Sequence, residues 1–436
     1  MNMWWWIWLA IAVALSVAVF FLSRYQMFVE RRQARRSKAS QAGKAEHGVF
    51  VIFNPSKQED VTEFKTRVQE AAKKHGIGYV HWLETTIDDP GTGQAITALR
   101  RGAALVVAAG GDGTVRAVAA GMAHSGVRMG ILPQGTGNLF ARNLGIPIEF
   151  GPSADIAFGD HERTVDLAWL RMEQVEKQGE FPPEGSLLIA ADAASVRQMP
   201  RGTQEPHPDE YAYVVIAGLG FDGATMAQTS SDLKKSVGWI AYVVAALKSL
   251  RNQRMKARLE LVGAISPSPS RLEELGLPPT SSGVLSGEEF AAGFPDAEPS
   301  EVPDGAIPHA QESIRAAART ILFANCGELP FVVLAPDADF DDGLLDVIAV
   351  DTKAGLAGWA TLAGKVLAQG AGARPLNIPA SLGQIAFRQA QSGTVTVDDA
   401  QPVEVDGDEI GTARRIHARV DKHALRLTVP AERRGA

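Results

Sequence analysis

The sequence predicts an α/β domain over residues 47–165, then a mostly antiparallel β-sandwich domain over residues 166–430, with one transmembrane helix ahead of both. Three observations carry this reading. Between residues 47 and 165, apolar strands alternate with segments of helical period. From about Thr164 the pattern shifts to short strands with few long helices between them. The first 24 residues hold a twenty-residue run, Met3 to Leu22, without a charge. The first pattern builds a three-layer α/β domain and the second a sandwich.

The uncharged run is about the length that spans a bilayer's hydrocarbon core. Trp4, Trp5, Trp6 and Trp8 mark one interface, since tryptophan prefers the headgroup level. Beyond the other end, residues 25–46 form a basic juxtamembrane linker. From Arg24 to Lys44, Arg24, Arg31, Arg32, Arg35, Arg36, Lys38 and Lys44 stand against Glu30 alone. The positive-inside rule then places residues after Arg24 in the cytoplasm, at the cell membrane. No basic residue precedes the run, so a retained anchor is expected in place of a cleaved signal peptide.

In the first domain, helical period predicts a helix over Val61–Lys74, and Tyr79–Leu83 reads as a strand. The strands expected in the second domain are Arg163–Leu170, Ser186–Ala191, Tyr213–Ala217, Ala257–Val262, Thr320–Asn325, Leu344–Val350, Thr394–Val397 and Leu425–Val429. Helices are expected over Ser236–Leu250 and Gly355–Leu367. Residues 266–312, rich in Pro, Ser, Gly and Glu, read as a disordered surface insertion.

Two glycine turns carry the chemistry. Gly110-Gly111-Asp112-Gly113-Thr114 follows the apolar run Ala103–Ala109 and opens a helical segment, Val115 to Met122. About twenty residues on, Met129–Pro133 leads into Gln134-Gly135-Thr136-Gly137-Asn138 and a second helix. Each turn sets bare backbone N–H groups and a helix N-terminus at a strand's carboxyl end, an arrangement that binds phosphate. Two consecutive units place both turns on the edge of a parallel sheet where ligands bind. Asp112 would repel phosphate unless a metal or a donor network offsets it, which points to Mg²⁺ or to a structural role.

Composition narrows the classes. With 45% hydrophobic and 21% charged residues, the 436-residue chain is ordinary for a globular protein. A formal charge of −7 argues against nucleic acid as a partner. The single cysteine, Cys326, allows neither an internal disulfide nor a cysteine zinc cluster. No Walker A sequence occurs, and Gly364-Lys365 lacks its spacing and hydroxyl.

GGDGT followed by LPQGTGNLFARNLGIP resembles the diacylglycerol kinase catalytic-domain family, lipid kinases that include the sphingosine kinases. Val49–Pro55, ending in Asn54-Pro55, resembles that family's first strand. Gly218–Asp222, Val237–Tyr242, Pro336–Val347 and Val405–Asp408 are similar to its later motifs, in order, so the likeness covers most of residues 47–430.

The resemblance implies an ATP- and Mg²⁺-dependent lipid kinase acting on diacylglycerol or a related membrane lipid, with its active site between the two domains. It implies nucleotide contacts from Asn54, Gly111, Asp112, Gly113, Thr114 and Thr136. Thr85 or Thr86 adds another, Thr86 being favoured. It makes Asp408 the general base, with Glu409 in reserve and Asp112 as the second catalytic residue. It implies a Mg²⁺ site from the Asp342 carboxylate and the carbonyls of Asp339 and Leu344. The partners implied are the lipid substrate and the bilayer; a homodimer is left open. One departure stands out: where the family continues Val-Asn-Glu-Val, this chain has Val115-Arg116-Ala117-Val118. Arg116 could contact phosphate, or mark a degenerate kinase that only binds nucleotide or lipid. NAD kinases and phosphofructokinases also share GGDGT, and a small-molecule kinase is the other alternative.

Overall fold

The computed structural model describes residues 48–220, 254–264, 311–329, 332–333, 338–351 and 384–431. The segments 1–24 and 25–46, the helices expected over Ser236–Leu250 and Gly355–Leu367, the motif Val237–Tyr242 and most of 266–312 lie outside the described residues. The expectation of a transmembrane helix is corrected: among the described residues no helix is long and apolar enough to cross a membrane. The longest, Val61–Lys74 (α1), has 14 residues. At 1.5 Å per residue it reaches about 21 Å, short of the roughly 30 Å hydrocarbon core. Nothing among the described residues supports the bilayer anchor or the homodimer as partners.

Gly48–Phe53 (β1), Val80–Glu84 (β2), Ala103–Gly110 (β3) and Arg128–Pro133 (β4) form a parallel sheet in the order β4-β3-β1-β2. β1 and β3 are nearly continuous apolar runs because both faces of a parallel sheet are covered. α1 begins where Asp60 accepts the N–H groups of Thr62 and Glu63, and it buries Phe64, Val68, Ala71 and Ala72 on one stripe. The chain runs outward from β1 to β2, then returns through Thr92–Arg100 (α2) to β3 on the other side of β1. Strand order therefore reverses between β1 and β3. That reversal opens a crevice outside the carboxyl ends of the two strands.

β3 leads into Asp112–Met122 (α3). Every residue of α3 from Thr114 to Met122 is buried, as in a helix covered on all sides. Leu139–Asn143 (α4) and Phe150–Ala157 (α5) follow β4.

The second unit opens with Glu162–Gln178 (β5), so the boundary expected at residue 165 falls inside a strand. Glu184–Ala190 (α6) replaces the strand expected over Ser186–Ala191. A short apolar run such as Leu187-Leu188-Ile189 has no period that separates helix from strand. Tyr213–Ala217 is split between Glu210–Tyr213 (β6) and Ile216–Leu219 (β7). Met255–Val262 (β8), Gln311–Ala318 (β9), Thr320–Ala324 (β10), Glu328–Leu329 (β11), Val332–Val333 (β12), Leu345–Asp351 (β13) and Gln384–Ala390 (β14) follow. Two long strands, Ser392–Val405 (β15) and Asp408–Thr428 (β16), close the fold.

These strands are mostly antiparallel, as expected, but they are not a separate sandwich. The end of β16 pairs in parallel with β4, Arg426 opposite Arg128 and Leu427 opposite Met129. One 14-stranded branched sheet therefore runs through both units. The core is shared as well. Val165, Leu167 and Trp169 of β5 and Leu425 and Leu427 of β16 pack in one cluster with Val115, Val118 and Met122 of α3. A buried polar knot reinforces this seam: His124 Nε2 lies 2.7 Å from Asp421 Oδ1, and Trp169 Nε1 donates to Asp421 Oδ2 at 3.2 Å. α3 thus packs against both units, and its first turn is held against the second.

Candidate active site

The two glycine turns touch backbone to backbone. A Cβ on Gly135 would fall 2.7 Å from the Gly111 Cα, and one on Gly110 would fall 2.5 Å from the Thr114 Cβ. Only glycine fits such contacts. Gln134 N donates to Gly110 O at 2.8 Å, and Gln58 Nε2 reaches Gln134 Oε1. Asn138, in the left-handed region at φ 47°, braces its own turn. Its Oδ1 accepts Gly135 N–H and its Nδ2 donates to Gly135 O, both at 2.7 Å. Gly135→Ala should drive the loops apart at a cost of about 1–3 kcal/mol, the range for overpacking. A thermal melt identical to that of the parent protein would show that the contact is dispensable.

At the start of α3 no side chain caps the helix, and the first intrahelical bond runs from Val115 N to Gly111 O at 3.0 Å. The N–H groups of Asp112, Gly113 and Thr114 precede that bond, so they have no acceptor within the helix. Asp112 sits among them yet turns its carboxylate elsewhere. Its Oδ1 accepts Leu139 N–H at 2.6 Å, strapping the first loop to α4. Burial raises the pKa of Asp112, while N–H groups of Leu139, Asn138 and Phe140 pull it back. Those N–H groups are the donor network the sequence called for. Thr114 is buried beside them, and Thr136 is exposed at the tip of the second loop.

On the other bank of the crevice, Asn54 follows β1. Its N–H donates to Ala109 O at 3.2 Å, and its Oδ1 accepts both Ser56 N–H and the Ser56 hydroxyl. Thr85 and Thr86 separate clearly. Thr85 is buried and donates its N–H to Phe53 O at the end of β1. Thr86, the residue favoured from sequence, is exposed and its hydroxyl accepts Asp89 N–H at 3.0 Å, closing its own loop.

Asp408 arrives from the far end of the chain. Asp406 and Gly407 both have positive φ, 47° and 89°, as a two-residue type I′ hairpin turn requires. Val405 pairs with Asp408 across that turn. A Cβ on Gly113 would lie 3.5 Å from Asp408 Oδ2, so the carboxylate sits against the first turn of α3. The turn is anchored by Asp406, whose buried carboxylate accepts the N–H groups of Val214, Val215 and Ile216 at 2.9–3.0 Å.

Arg116 meets Asp408 from α3, with Nη1 3.0 Å from Asp408 Oδ2. The same nitrogen donates to Val405 O at 3.1 Å, and Nε donates to Glu184 Oε1 at 3.1 Å. The guanidinium is buried among these groups, so it does not face the crevice as a phosphate ligand. Burial alone would lower its pKa, but Glu184, then Asp408 and Asp406, raise it and keep it charged. Cross-strand from Glu409 lies Glu404, also buried. Burial, with the carboxylates of Asp406, Asp408 and Glu409 adding, pushes Glu404 up to about 8.

The residues named for a metal lie apart from this cluster, in the turn before β13. Asp342 Oδ1 accepts Leu344 N–H at 2.8 Å, and Asp342 N donates to Asp339 O at 3.4 Å. The ammonium of Lys422 donates to Asp342 O at 3.0 Å, and Arg163 pairs with Asp339 and Asp341. Asp166 holds the turn from below, accepting Gly343 N–H and His423 N–H. Among the described residues no group of three His, Cys, Asp or Glu side chains is placed to hold a metal ion. The Lys422 ammonium thus takes the Asp342 carbonyl and none of the three oxygens named for the ion, the Asp342 carboxylate and the carbonyls of Asp339 and Leu344.

Glu184, Asp406, Glu404 and Asp166 went unnoticed as site-forming residues in the sequence. Asp406 alone had a signal, as the first residue of an Asp-Gly turn. The other three lie in segments with no motif of their own.

Residues 48–170 match the description of the diacylglycerol kinase catalytic domain. A probable YegS-like lipid kinase of Pseudomonas aeruginosa is 28% identical over 337 residues, covering 77% of this chain and 79% of that protein. The diacylglycerol kinase of Bacillus subtilis is 35% identical over 122 residues, 27% of this chain and 40% of that one. An uncharacterized Synechocystis protein is 25% identical over 161 residues, and the chain spans 28% of its length. Among solved structures, a putative diacylglycerol kinase from Bacillus anthracis shares the fold at TM-score 0.51 and 16% identity, covering 88% of this chain and 97% of its own. The matched segment holds both glycine turns, the crevice and α3, so the likeness to the diacylglycerol kinase catalytic domain falls on the candidate site, and the P. aeruginosa and B. subtilis relatives are named as lipid kinases, which are phosphotransferases.

Proposed function

We propose that this protein transfers the γ-phosphoryl group of ATP, bound as its Mg²⁺ complex, to a hydroxyl of diacylglycerol or a related membrane lipid. One observation carries the proposal: the β15–β16 hairpin sets Asp408 against the N-terminal turn of α3, beside N–H groups that have no acceptor within the helix. ATP supplies the phosphoryl group, and its Mg²⁺ offsets the phosphate charge. The N–H groups of Asp112, Gly113 and Thr114 hold phosphate oxygens, and the helix dipole favours them there. Asp112 fixes the spacing of the two loops through Leu139. Asp408 Oδ2 is held by Arg116, which leaves Oδ1 to orient the lipid hydroxyl and accept its proton. The names of the P. aeruginosa and B. subtilis relatives support a lipid as acceptor.

The test is mass spectrometry of a total lipid extract incubated with the protein, ATP and Mg²⁺, with NAD offered in a parallel reaction. A phosphorylated lipid is expected, and Asp112→Asn should lower its formation by about 10²-fold or more, the scale of a lost positioning contact in such a site. Phosphorylation of NAD with no lipid product would overturn the proposal. Unchanged turnover in the Asp112 variant would remove that residue from the site.

A further inference from the structure

Arg116 stands where the family pattern has asparagine, and its surroundings give the departure a purpose. The side chain leaves α3 one turn after Asp112 and reaches the second unit. Its partners come from three other places in the chain: Glu184 opens α6, Val405 ends β15 and Asp408 begins β16. The side chains of Arg116 and Glu184 are only 4% and 3% exposed, whereas that of Asp408 is 38% exposed. Glu184 is itself pinned, because its second oxygen accepts Ala212 N–H at 3.1 Å. The guanidinium is therefore held at one end by a fixed, buried carboxylate and grips a cleft-facing carboxylate at the other. A planar guanidinium can serve both at once through separate N–H groups. The shorter asparagine could not span them. A buried ion pair of this kind is weak evidence for stability, since desolvation offsets most of its attraction.

We infer that Arg116, braced by Glu184, is a positioning residue that fixes Asp408 Oδ2 so that Oδ1 faces the acceptor hydroxyl. The inference rests on the lipid-kinase reading. It makes the pair a substitute for whatever orients the base in relatives that have asparagine at this position. It also ties the nucleotide-side helix directly to the base.

The deciding experiment is a double-mutant cycle on lipid phosphorylation, with Arg116→Met, Asp408→Asn and the two combined. Arg116→Met is expected to lower kcat about 10²-fold, within the range of general-base catalysis, with the KM for ATP within about twofold. In the Asp408→Asn background it should cause no further loss, because a residue acting only through Asp408 has nothing left to position. Arg116→Lys, which keeps the charge but not the fork, should fall between parent and Arg116→Met. It also serves if Arg116→Met fails to fold. Losses that multiply in the double variant, or an equal rise in the KM for ATP, would assign Arg116 a structural role and overturn the inference. Full activity in both Arg116 variants would do the same while leaving the kinase reading intact. A parent protein that phosphorylates no lipid fails the kinase reading itself, and the inference falls with it.

Discussion

Asp408→Asn is expected to slow lipid phosphorylation by about 10²- to 10⁴-fold, the contribution of a general base. The substitution is nearly isosteric. The asparagine carbonyl can still accept from Arg116 Nη1, so the 3.0 Å contact and the hairpin geometry should survive. The turn itself depends on Asp406 and Gly407, which are untouched. What is lost is the ability to take a proton. Nucleotide affinity and the circular dichroism spectrum should therefore match the parent's while kcat collapses. A rate within about threefold of the parent would exclude Asp408 as the base. It would move the role to Glu409, its neighbour on the same strand.

The second large effect concerns stability and pH. Glu404 has its ordinary value near 4.5 in the unfolded chain and is pushed up to about 8 in the folded protein, chiefly by burial. A carboxyl raised on folding binds its proton more tightly in the native state, so stability falls as pH climbs from about 4.5 to about 8 and then levels off. The loss is on the order of 5 kcal/mol, because each pH unit crossed between those two values costs about 1.4 kcal/mol. Asp406, raised to about 6 by burial with Arg116 and its three N–H donors opposing, adds a smaller loss of the same sign between about pH 4 and 6. Glu404→Gln removes the first contribution and leaves the second. Urea denaturation at pH 5 and pH 9 should show the variant close to the parent at the lower pH and several kcal/mol more stable at the higher. Parallel pH curves for the two proteins would show that Glu404 does not titrate as its burial requires.

Much of the site is readable in the chain because its parts are local. Strand, glycine turn and helix succeed one another within about fifteen residues at Gly110 and again at Gly135, so each unit is legible in its own local pattern. The same holds for Asp406-Gly407, whose left-handed φ values demand residues that tolerate them. α1 appears within its predicted bounds because its apolar stripe and its cap lie inside one segment. Where local pattern is ambiguous, as in Leu187-Leu188-Ile189, the reading failed and a helix stands in place of a strand.

The sequence by itself determined the parallel first unit, the two glycine turns, the hairpin that carries Asp408 and the likeness to the diacylglycerol kinase catalytic domain. Tertiary structure alone decided what the odd residues do. Asp112 is a strap to Leu139, Arg116 is not a phosphate ligand, and Lys422 stands against the turn where a metal was expected. It also decided that the two units share one sheet and one core. The physical reason is range. Backbone conformation follows from a few neighbouring residues, whereas Arg116 meets partners 68 and 289 positions away. No period or spacing in the chain encodes such pairings; they exist only once burial has brought the groups together and stripped them of water.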